Sequence, residues 1–161
     1  MTELLIVWHS RTGGSRKMAE AAFAAAQEEC RTTLKPADDA TPDDLLRADG
    51  YIFCGPENLA ALSGAMKEFF DRCYYEVLGR IEGRPYALMI CAGSDGSNAV
   101  RQAARIAQGW RLKPVQEPMI VCTHAQTPEQ ILGQKTIPED DLAQCRELGQ
   151  ALAAGLEMGA F

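Results

Sequence analysis

The residues best suited to chemistry stand close together near the start of the chain: Ser10, Arg11, Thr12, Gly13, Gly14 and Ser15, in the string SRTGGS. Three hydroxyl donors around a glycine pair make an anion cradle, because the glycines let the backbone turn tightly and approach the ligand. A helical stretch begins at Ser15. The N-terminus of a helix presents unpaired N–H groups and partial positive charge, so a phosphate placed there gains several hydrogen bonds without needing a lysine. The competing reading is a Ser-capped helix that holds nothing. The loop lacks both G-x-x-x-x-G-K-[ST] and G-x-G-x-x-G, which argues against ATP and NAD as its ligand.

Little else has the spacing of a catalytic constellation. His9 and His124 have no Ser or Cys partner at a recognisable nucleophile turn, so no triad is written. His9 is expected to pack beneath the glycine loop, and Arg16 and Lys17 to form the wet face of the first helix. Cys30, Cys54, Cys73, Cys91, Cys122 and Cys145 include no C-x-x-C pair, so neither a zinc site nor a redox dithiol is expected. Buried, reduced thiols are the natural reading.

The elements that must position the cradle alternate between strand and helix patterns. Leu4–Trp8 reads as a buried strand, followed by a helix over Ser15–Cys30 and a strand over Thr32–Pro36. Thr41 before Pro42 marks a short helical turn through Arg47. The run Tyr51–Cys54 is the third strand, ended by Gly55-Pro56. Leu62, Ala65, Met66, Phe69, Phe70 and Cys73 recur at spacings of three and four, which predicts a core-facing helix. Tyr86–Cys91 and Met119–Cys122 are the fourth and fifth strands. A helix carrying Val100, Ala103, Ala104 and Ala107 lies between them, and a last one runs from Pro138 to Met158. Trp110, Tyr74 and Tyr75 are expected to pack at helix ends.

Right-handed crossovers turn this order into one α/β domain over residues 1–161. It is a doubly wound three-layer α/β/α sandwich whose five parallel strands lie in the order 2-1-3-4-5. Ligands of such sheets sit beyond the carboxyl ends of the strands, where the order reverses. The loops expected there are SRTGGS, then GPENLAALSG after the third strand, then AGSDGS after the fourth.

SRTGGS resembles the [ST]-x-T-G-x-[ST] loop with which flavodoxin-like proteins hold the FMN phosphate. GPENL…SGAMKEFFDR followed by YALMICAGSDGS is similar to the second and third FMN loops of their NAD(P)H-dependent flavin and quinone reductase branch. The resemblance runs nearly end to end. It implies a flavodoxin-like fold with Ser10 to Ser15 around the phosphate. Pro56, Glu57, Asn58 and Leu59 would then lie along the isoalloxazine, with Gly93, Ser94, Asp95 and Gly96 on its other side. For Asp95 a helix cap, and for Glu57 a solvated carboxylate, are alternatives of equal weight. The implied chemistry is hydride acceptance by FMN from NADH or NADPH, with electrons passed to a quinone or other small acceptor.

A flavodoxin-type carrier usually sandwiches the ring between aromatic side chains. PENLAAL and GSDGS contain no Trp, Tyr or Phe, and an open ring face suits nicotinamide stacking. The net charge of -6 keeps docking on basic redox partners in play and disfavours nucleic acid. No apolar run approaches a membrane span and no export signal precedes the first strand, so a cytoplasmic protein is expected. The resemblance also leaves room for a homodimer. The segment THAQTPEQILGQKTIPED is long for a connection and is expected to border the flavin or a subunit interface.

Overall fold

The computed structural model describes residues 1–161. At its centre β1 (Glu3–Trp8) runs parallel to β2 (Arg31–Pro36) on one side and to β3 (Gly50–Asn58) on the other. Next to β3 lies β5 (Pro85–Ala92), and the far edge of β5 is shared by β6 (Lys113–Pro114) and β7 (Met119–Cys122), all parallel. Setting aside the two-residue β6 and the hairpin strand β4 (Ala61–Leu62), the order is the expected 2-1-3-4-5, the flavodoxin arrangement. The point of reversal falls between β1 and β3, so their carboxyl ends open one crevice.

Strand alternation divides the core into two layers. Leu5, Val7, Tyr51, Phe53, Leu88 and Ile90 face α3 (Gly64–Val77) and α4 (Ser97–Gly109). Leu4, Ile6, Ile52, Cys54, Met89 and Cys91 face α1 (Gly14–Ala26) and α6 (Glu139–Met158). Each large apolar side chain removed from water contributes about 1.5–3 kcal/mol. In the first layer Phe53 meets the edge of Phe70 at 5.0 Å and of Trp110 at 6.3 Å, so Trp110 is core, while Tyr75 is exposed. In the second, α1 and α6 cross so closely that a Cβ on Gly149 would lie 2.3 Å from the Ala22 carbonyl oxygen.

The larger shifts from the expected boundaries are at α1, at β3 and at α3, which starts at Gly64 and leaves Leu62 in β4. Helix α1 begins at Gly14 and gives way to turns after Ala26, short of Cys30. Helix α2 (Pro42–Arg47) starts as expected, on a capping box between Thr41 and Asp44. Strand β3 does not stop at Gly55-Pro56. It continues to Asn58 because Pro56, although without an N–H, still offers a carbonyl that accepts the Ser63 N–H at 3.1 Å, and Glu57 and Asn58 pair antiparallel with Leu62 and Ala61. Within the long segment after β7 lies a further short helix, α5 (Pro128–Leu132), capped by Thr127 and Gln130. No helix is long and apolar enough to cross a membrane.

Candidate functional site

The turn from β1 into α1 is a preformed cradle. The Gly13 N–H donates to Ser10 Oγ at 2.9 Å, which folds the loop onto itself, and Gly13 adopts φ +93°, the left-handed region that glycine enters without strain. Gly13 is the N-cap of α1 and no side chain caps that end, so Ser15 is not the cap that the empty-loop reading requires. Ser15 lies instead inside the first turn. It is 1% exposed, and its Oγ has no hydrogen-bond partner. A buried hydroxyl left unsatisfied costs about 1–3 kcal/mol, so this orphan on the cleft wall leaves a donor free for a ligand oxygen. Gly14 brings the helix down onto β5, since a Cβ there would lie 2.6 Å from Cys91 Sγ. Burial pushes the Cys91 thiol up to about 11, with Lys135 opposing, so Cys91 is a protonated wall and not a nucleophile.

Opposite the cradle, β3 and β4 form a hairpin around Leu59 and Ala60. Both have positive φ, 51° and 66°, a backbone that costs a non-glycine residue about 1–2 kcal/mol each. Three polar side chains fasten this hairpin to α4. Glu57 Oε1 accepts the Gly96 N–H at 2.9 Å, the Leu62 N–H donates to Gln102 Oε1 at 2.7 Å, and Asn98 Nδ2 donates to the Ala60 carbonyl at 2.6 Å. Glu57 is therefore engaged at the start of α4 as well as facing the cleft, and is not the free carboxylate of the alternative reading.

Between cradle and hairpin lies a cleft of about 400 Å³. Ser10, Arg11, Thr12, Gly14 and Ser15 form one end, Pro56 to Leu59 one wall, and Gly93 and Ser94 the other. Three of the expected residues do not line the cleft. Gly13 is covered by the Gln134 side chain, and Gly96, buried at φ +90°, is the N-cap of α4. Asp95 Oδ1 accepts the Ser97 N–H at 3.1 Å in the capping role, and the Ser97 hydroxyl, followed by this N–H, holds its carboxyl below the usual range. Thr123 and Ala125 complete the wall, while His124 between them has an exposed side chain and φ 60°. His9 lies beneath the cleft with Nδ1 3.0 Å from Ser63 Oγ. Burial, and then Arg11, keep His9 below the ordinary histidine value against the opposing pull of Asp38.

The residue that sequence reasoning missed is Lys135. Its N–H donates to the Thr12 carbonyl at 2.8 Å and its Nζ to Thr12 Oγ1 at 3.1 Å, while Lys17 Nζ donates to the Lys135 carbonyl. Lys17 is thus a tether and not part of a wet face, whereas Arg16 pairs with Glu20 on the surface as expected. Separated from Thr12 by 123 positions, Lys135 leaves no local sequence signal. The length of its loop was the available hint.

This fold and cleft define a flavin-binding α/β protein, and comparisons with known proteins agree. Residues 11–127 match the family described as NADPH-dependent FMN reductase, and the chain belongs to that family. A flavodoxin of Aquifex aeolicus (strain VF5) is 37% identical over 103 residues, covering 62% of this chain and 56% of that relative, so the chain spans little over half of its length. Among solved structures, a flavodoxin from the domain Archaea superposes with a TM-score of 0.78 at 16% identity, over 97% of this chain and 99% of that one. The flavodoxin, WrbA-like protein from Agrobacterium tumefaciens gives 0.71 at 19% identity, over 98% and 99%. These superpositions establish the fold. The chain is an FMN-binding, flavodoxin-like protein.

Proposed function

We propose that the chain is an NAD(P)H-dependent oxidoreductase that passes electrons from nicotinamide through FMN to a quinone or other small acceptor. One observation carries this reading: the residues lining the cleft include no Trp, Tyr or Phe, so one face of a bound ring stays open to a stacking nicotinamide. Bound FMN would supply a centre that accepts a hydride and releases electrons. The protein binds, orients and shields. Ser10, Thr12, Ser15 and the first N–H groups of α1 would hold the phosphate. The Asn58 amide and the backbone of Gly93 and Ser94 suit the polar edge of the ring, while Glu57 keeps the two ring-side loops in register through α4.

Anaerobic titration of the FMN-loaded protein with NADH and NADPH, followed by stopped-flow absorbance, tests the proposal. Rapid flavin bleaching by either nucleotide, reversed by benzoquinone, is the expected result. The second reading is an electron carrier of the flavodoxin type. It is favoured by the name of the Aquifex aeolicus relative and by the net charge of -6, which suits basic partners. Bleaching by dithionite but by neither nucleotide, in two separate one-electron stages, would select it.

A further inference from the structure

The strap formed by residues 133–135 brings a held positive charge to a cradle whose own cation, Arg11, is exposed. Lys135 Nζ donates to Thr12 Oγ1 at 3.1 Å, to the Ile131 carbonyl at 2.8 Å and to the Gly133 carbonyl at 2.7 Å. All three ammonium protons are directed, so the charge is held and does not sweep through solvent. Two further bonds fix the strap itself, from the Lys135 N–H to the Thr12 carbonyl and from Lys17 Nζ to the Lys135 carbonyl. The buried Ile137, 4% exposed, anchors the chain two residues on. Lys135 lies on the same cleft wall as the orphan Ser15 Oγ, and beyond the stretch 11–127 that matches the family.

We infer that Lys135 is a positioning residue whose fixed charge acts through Thr12 on the phosphate position, and that it makes the chain select the phosphorylated flavin over the unphosphorylated one. The inference rests on the FMN reading above. Thr12 Oγ1 accepts a hydrogen bond from the Lys135 ammonium, so the hydroxyl proton of Thr12 is free to be donated, and the adjacent charge makes it a better donor. A dianionic phosphate between Thr12, Ser15 and the helix end would then meet a polarised hydroxyl beside a charge held in place, which the exposed Arg11 does not supply. Riboflavin has the same ring and ribityl chain without the phosphate, and gains nothing from it.

Fluorescence titration of the apoprotein with FMN and with riboflavin, for the wild type, Lys135→Met and Lys135→Arg, tests this directly. Lys135→Met should weaken FMN by about tenfold, through the loss of one fixed charge beside the phosphate position, and leave riboflavin within about twofold. Its FMN affinity should also fall less steeply with added salt, and Lys135→Arg should retain most of both properties. Equal weakening of FMN and riboflavin would reduce the strap to a structural prop and overturn the inference, as would an unchanged FMN affinity. A wild-type chain that takes up neither flavin overturns the cofactor reading, and this inference with it.

Discussion

The Glu57 carboxylate caps α4: Oε1 accepts the Gly96 N–H at 2.9 Å and Oε2 the Ala99 N–H at 3.3 Å. A side chain at the end of β3 thereby satisfies the first turn of a helix that begins almost forty residues later. The helix has no side-chain cap of its own at Gly96, so this contact, with Asn98 to Ala60 and Gln102 to Leu62, makes the two ring-side loops one body.

Removing that carboxylate should loosen both loops together. Glu57→Ala is expected to cost about 1–2 kcal/mol in urea unfolding, the usual worth of a cap bonded to charge, and to raise amide exchange at residues 59–61 and 96–99 alike. Glu57→Gln keeps one acceptor oxygen and should lose about half as much. Faster exchange confined to the hairpin would show that the loops move separately.

Ser15→Ala should have opposite effects on the empty and loaded protein. Deleting the orphaned hydroxyl relieves the apoprotein of a buried, unpaired polar group and should stabilise it by about 1 kcal/mol. The same change removes a phosphate donor and should weaken FMN binding by about fivefold to tenfold. Thermal melts with and without FMN read both signs in one experiment. An apoprotein destabilised by the substitution would mean that Ser15 already has a partner.

Gly14→Ala is expected to destabilise the fold by about 1–3 kcal/mol, because its Cβ would meet Cys91 Sγ at 2.6 Å where α1 rests on β5. Cys91→Ala in the same chain clears that space. The double variant should therefore be more stable than Gly14→Ala alone, a non-additivity that calorimetry can detect.

The ring of His9 gives a pH dependence of defined sign. Burial and the Arg11 charge hold its folded value below the ordinary one, so between the two values the unfolded chain binds the proton first. The contribution is complete above the ordinary histidine value and is lost as pH falls from there to the lowered value. Urea unfolding at a series of pH values should show that slope in the wild type and not in His9→Asn. Parallel profiles would place the titration elsewhere.

What the sequence made legible was whatever repeats over a few residues. The α3 positions Met66, Phe69, Phe70 and Cys73 are all buried as their spacing predicts, and Thr41-Pro42 opens a helix with the expected box. The glycine loop could be placed because its hydroxyls are consecutive. The β3–β4 hairpin was hidden because its two left-handed positions are Leu59 and Ala60, not the Asn-Gly pair that announces such a turn. The second duty of Glu57 and the reach of Lys135 are long-range contacts, decided by where helices land on the sheet and invisible to any local window.

The joining of Lys17 and Thr12 to Lys135 also orders events in time. During synthesis, the glycine loop leaves the ribosome well over a hundred residues before its clasp, so early strands and α1 can assemble while the cradle is still open. Tight capture of the cofactor then becomes a late step, and a nascent chain holding flavin firmly is one whose sheet is already in place.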